Sequence, residues 1–154
     1  MKAEYINSFY RATKDVLQMM IDISPERGDL KMVNGLTNNK DANVELGVTG
    51  DLSGTILFSF PKKTTLEMVK IMSGMDMDKI DNFASSALGE MANIISGNAL
   101  TNLSEYNFAC DIQPPQVFLG GYKPATLNSE KVLLLPLYTS IGEFDISVIL
   151  KEKE

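Results

Sequence analysis

The sequence predicts an α+β fold: a pseudo-duplicated helix-plus-antiparallel-sheet domain, with long helices packed on a mostly antiparallel sheet. Three observations carry this expectation. Stretches with apolar residues at helical spacing are segregated from stretches that alternate at period two. The extended stretches are joined by short Gly-containing turns, as hairpins are. Residues 4–60 and 80–150 each read as a helix followed by strands, which suggests a degenerate duplication within one domain spanning 1–154.

Taken in order, residues 4–23 place Ile6, Phe9, Val16, Leu17 and Met20 at helical spacing, and Pro25 and Gly28 close that helix. A polar stretch runs to about Asp41, with one short strand expected within residues 29–36. Residues 44–48 alternate at period two and read as a strand, and residues 50–54 make the turn into a second strand, 55–60. Pro61 ends it, Thr64 or Thr65 offers a cap for a second helix through Met72, and Gly74 stops that helix. Asp78 and Asp81 precede a third helix over residues 80–104. Residues 110–119 are strand-like but broken by Pro114-Pro115, which suits a sheet edge or the entry to a strand. Gly120-Gly121 and Pro124 mark a loop, and residues 132–139 and 144–150 are the last strands, with Gly142 between them. Residues 151–154 read as a solvated, frayed end.

Composition excludes several chemistries. The 154 residues include no histidine and one cysteine, Cys110. No Ser-His-Asp or Cys-His relay can be built without an imidazole, and one chain cannot supply the usual zinc ligands. Chemistry must use carboxylates, amides, hydroxyls or lysines, or a reactive centre on a partner. A net charge of −6 argues against sequence-independent nucleic-acid binding. No run of about 18 apolar residues exists to span a membrane, and the first residues lack the apolar core of a signal peptide. One unpaired cysteine suits a reducing compartment, so a cytoplasmic protein is expected.

The third helix is unusual. At about 100° per residue, Ala84, Leu88, Met91, Ile95 and Ala99 form one apolar stripe, the face expected to be buried. Ser86, Glu90, Asn93 and Gly97 form a second stripe, polar and small. Glu90 and Asn93 are three apart and therefore neighbours on the helix surface. Phe83, Ala87 and Ile94 lie beside them and should be only partly covered. Gly89 and Gly97 each cost a helix interior about 1 kcal/mol relative to alanine. A carboxylate and an amide framed by small and apolar residues suggest a docking face, with Ser86, Gly97, Phe83 and Ile94 contacting the partner. The pattern by itself also fits the ordinary solvated face of an amphipathic helix.

The string Leu88-Gly89-Glu90-Met91-Ala92-Asn93-Ile94-Ile95-Ser96-Gly97-Asn98-Ala99 closely resembles the active-site helix of the CheC/CheX/FliY family of response-regulator phosphatases. Asp111-Ile112-Gln113-Pro114-Pro115-Gln116-Val117 is similar to the family's Pro-Pro segment, and residues 47–56 to its Gly-flanked hairpin. Members of this family with one Glu/Asn pair are CheX-like. The other Glu-x-x-Asn here, Glu4-Tyr5-Ile6-Asn7, is followed by bulky Phe9 and Tyr10, which points to chance or a decayed copy.

The resemblance implies a protein phosphatase acting on the aspartyl phosphate of a CheY-like response regulator. Asn93 would orient the attacking water, and Glu90 would dock on the receiver lysine. No cofactor of its own is implied; Mg²⁺ is expected on the receiver partner. A homodimer is expected as well. The alternative is a non-catalytic receiver-binding or flagellar-switch interaction module of the same fold, and a small-ligand-binding domain is a more distant rival. Residues 50–54 lack the Gly-Lys-Ser/Thr of a phosphate loop and read as a hairpin. Met68, Met72, Met75 and Met77 at helical spacing read as core, and Cys110 as a buried small hydrophobe.

Overall fold

Helix α1 (Ala3–Ile21) buries Ile6, Phe9, Val16 and Leu17, four of the residues that set its spacing. The computed structural model describes residues 3–36, 38, 40–122 and 131–153. The helix stops before Pro25 and Gly28 are reached. Asp22 adopts φ 54° and the Ile23 N–H reaches back to the Leu17 carbonyl at 3.3 Å, a left-handed helix stop. Two short strands follow, β1 (Glu26–Arg27) and β2 (Lys31–Asn34). The second is the expected one; the first is too short to show any alternation.

The reversal between β3 (Ala42–Gly50) and β4 (Leu52–Phe60) is tighter than the expected five-residue turn. Only Asp51 separates the strands, and Gly50 turns the chain at φ 110°. Gly54 serves another purpose: a Cβ there would overlap the Ile149 carbonyl oxygen on the neighbouring strand. Helix α2 (Lys62–Ser73) is capped differently from expectation. Pro61 holds the N-cap position with no side-chain bond, and the Asp41 carboxylate accepts from the Lys62 N–H at 2.8 Å. Thr64 and Thr65 are buried inside the helix, donating to the carbonyls of Glu143 and Pro61. Gly74, at φ 74°, ends the helix as expected.

Helix α3 (Asn82–Ser104) starts two residues late because Asp81 is its N-cap, accepting from the Ala84 N–H at 2.9 Å. Pro114-Pro115 separates β5 (Cys110–Ile112) from β6 (Gln116–Leu119), and both pair with β3. Strands β7 (Lys131–Thr139) and β8 (Gly142–Glu152) complete the sheet. The expected frayed tail is partly strand: Lys151 and Glu152 lie opposite Ser53 and Leu52. Pro124, expected in a loop, lies outside the described residues.

Among the described residues all strand pairs are antiparallel, in the order β1-β7-β8-β4-β3-β5, with β2 also on β7 and β6 also on β3. The order reads alike from either edge. Long strands β4 and β8 form the centre, β3 and β7 flank them, and each flank carries two short interrupted strands. Helices α1 and α3 pack together over one face, where Phe9 and Leu17 meet Leu88, Met91 and Ile95 above Leu46, Ile56, Phe58, Leu135 and Ile146. Each such side chain removed from water contributes about 1.5–3 kcal/mol. The other face carries a smaller apolar cluster of Leu36, Leu57, Tyr122, Val132 and Ile149. Tyr122 closes it, donating its hydroxyl to Glu45 at 2.6 Å; burial and that carboxylate push its phenol pKa up.

Candidate functional site

The packing of α3 decides which of its side chains can meet a partner. The whole predicted apolar stripe is buried, from Ala84 through Leu88, Met91 and Ile95 to Ala99. The stripe on the opposite side of the helix faces outward: Ser86, Glu90 and Gly97 are exposed and Asn93 is half-buried. Phe83 is 47% exposed, a large apolar side chain left open two turns before Glu90. Ala87 and Ile94 are half-buried, with Ile94 resting against the edge of the core.

Among the described residues, the side chains of Glu90 and Asn93 have no hydrogen-bond or ion-pair partner. Their spacing puts their Cβ atoms about 5–6 Å apart. The carboxylate accepts, and the amide both donates and accepts. Gly97 stands one turn beyond Asn93, and a Cβ built there meets nothing within 4 Å. The site is thus a carboxylate, an amide and a flat backbone step on a rigid helix.

The other Glu-x-x-Asn pair is in a different state. Asn7 is exposed, yet its amide oxygen accepts from Arg27 of β1 at 2.9 Å. The same guanidinium lies 5.2 Å from the centre of the Tyr10 ring. One turn beyond Asn7, where α3 has Gly97, α1 has Arg11, which bonds Asn102 at 2.6 Å and Glu105 at 3.0 Å. Exposure alone does not separate the two pairs; engagement does.

A groove that residue spacing did not reveal adjoins Glu90. It measures about 320 Å³ and is lined by Ser85, Ser86, Gly89, Glu90, Pro115 and Val117. Pro115 and Val117 reach it because β6 runs beside α3. Gly89, costly in a helix, forms its floor: a Cβ there would stand 3.5 Å from Val117 Cγ2 and 3.9 Å from Pro115 Cγ, ordinary contact distances. Two other expectations need correction. Met68 is core, but Met75 is 47% exposed, past the end of α2. Cys110 is half-buried at the start of an edge strand rather than enclosed.

Residues 43–137 match the family described as chemotaxis phosphatase CheX. The chain belongs to the CheX family. It is 28% identical over 154 residues, 98% of each chain, to the CheY-P phosphatase CheX of Thermotoga maritima. Its fold is similar to that of a chemotaxis protein CheX from Desulfovibrio desulfuricans, with TM-score 0.85, 29% identity, and 97% and 99% of the two chains covered. It is also similar to the CheX-CheY-BeF3-Mg²⁺ complex of Borrelia burgdorferi, with TM-score 0.72, 25% identity and coverage of 96% and 98%. The fold expected from the sequence is therefore that of the CheX family, with Glu90 and Asn93 on its outward helix face. No helix among the described residues is long and apolar enough to cross a membrane.

Proposed function

We propose that this CheX-family protein hydrolyses the aspartyl phosphate of a CheY-like response regulator. The observation that carries the reading is the free, outward Glu90/Asn93 pair on α3, in a chain similar to a CheY-P phosphatase. An acyl phosphate needs positioning and charge neutralisation more than a new covalent catalyst. The receiver's Mg²⁺ and lysine neutralise the phosphoryl oxygens. Asn93 hydrogen-bonds a water and holds it in line with the phosphorus. The water oxygen bonds to phosphorus, the phosphorus–oxygen bond to the aspartyl carboxylate breaks, and inorganic phosphate leaves. Glu90 pairs with the receiver lysine and fixes the register of docking.

Around this pair, Ser86, Phe83, Ile94 and Gly97 supply contact area, Phe83 as an aromatic anchor and Gly97 as the point of closest approach. The homodimer and the cytoplasmic setting belong to the same proposal. The test is the decay of phosphorylated receiver with and without the protein. Glu90→Ala should raise KM and lower kcat together, since it removes docking and alignment at once. A protein that binds the receiver without accelerating decay would instead be an interaction module.

A further inference from the structure

We infer that the groove between α3 and β6 seats the receiver segment flanking the lysine that pairs with Glu90, and so sets which receivers are accepted. The inference rests on the proposed function, because it needs the lysine on Glu90. Five observations support it.

Glu90 is itself part of the groove wall. A partner whose lysine reaches that carboxylate brings its adjoining chain beside the opening. The groove holds about 320 Å³, enough for a stretch of backbone with a short side chain. Its lining suits such an occupant. Ser85 and Ser86 present hydroxyls for peptide groups, while Pro115 and Val117 present an apolar wall.

The floor supplies the strongest argument. Gly89 is buried at its own position, yet alanine would fit there at ordinary contact distances and favour the helix. Nothing within the chain requires glycine at this position: its φ is not positive, and no backbone lies where a Cβ would be. The missing Cβ instead keeps open a groove that only a partner can fill. Pro114-Pro115 fixes the opposite wall, because two prolines in succession restrict the backbone between β5 and β6. The groove is therefore preformed.

The test compares Gly89→Ala and Ser85→Leu with the wild-type protein in two assays. One follows decay of the phosphorylated receiver; the other titrates beryllofluoride-treated receiver with Mg²⁺ to obtain Kd. Filling the groove should raise KM and Kd together, by about fivefold for Gly89→Ala and about twentyfold for Ser85→Leu, with kcat within about twofold of wild type. Gly89→Ala should melt at or above the wild-type temperature, which separates lost docking from lost folding. It decides the question alone if Ser85→Leu folds poorly. An active wild-type protein whose Gly89→Ala form keeps wild-type KM and Kd overturns the groove assignment and leaves the phosphatase reading intact. A wild-type protein that neither binds nor dephosphorylates the receiver overturns both.

Discussion

Replacing Gly97 by alanine should make the protein more stable and a poorer phosphatase. The position is exposed, seven residues before the end of α3, and a Cβ there meets no atom within 4 Å. The substitution therefore carries no steric cost inside the chain. Glycine in a helix interior is about 0.8–1.0 kcal/mol less favourable than alanine, and that amount should be recovered. For a domain of this size it corresponds to a rise in Tm of about 2–4 °C. The new methyl projects where the receiver is proposed to approach most closely. Overpacking a tight contact costs about 1–3 kcal/mol, so KM for phosphorylated receiver should rise by between about 5-fold and about 150-fold. Thermal melting by circular dichroism and receiver dephosphorylation, run on the same preparation, provide both readings. A gain in Tm with an unchanged KM would refute the close-approach role of Gly97. An unchanged or lower Tm would refute the helix argument.

Two further outcomes follow from the geometry. Asn7→Ala should leave dephosphorylation within about twofold of wild type, because Asn7 is already engaged by Arg27 and Arg11 stands where α3 has glycine; a larger loss in kcat/KM would contradict a single site. Tyr122→Phe should cost about 1.5–3 kcal/mol at neutral pH by removing the hydroxyl bond to Glu45, measurable by urea denaturation. The folded state raises the Tyr122 pKa, so this stabilisation is full below the ordinary tyrosine pKa near 10 and is lost as the pH rises beyond it. The wild-type advantage over Tyr122→Phe should therefore narrow in alkaline buffer.

Local patterns made most of the elements legible. The spacing of Leu88, Met91, Ile95 and Ala99 identified both the buried face of α3 and, by difference, the outward Glu90 and Asn93. The Pro114-Pro115 break marked an edge, and β5 and β6 are edge segments on β3. What the pattern missed depends on residues distant in sequence. Asp41 caps α2 from the loop before β3, a relation that Thr64 and Thr65 concealed by looking like local caps. Arg27 engages Asn7 only because β1 lies on β7, near the start of α1. The groove beside Glu90 needs Pro115 and Val117 brought against Gly89, and the only sequence sign of it was an expensive glycine in a helix. Gly54 misled for the same reason: its turn-like composition answers to the close passage of β8.

In the proposed function Asn93 aligns the water that attacks the receiver's aspartyl phosphate, and removing its amide tests that role. The rate of receiver dephosphorylation with saturating Asn93→Ala is compared with the rate of the receiver's own decay, while Kd for beryllofluoride-treated receiver is measured in parallel. Decay should stay within about twofold of the unassisted rate, with Kd within about threefold of wild type, because an interaction made only in the transition state has been removed. Retention of the wild-type rate by Asn93→Ala would contradict it.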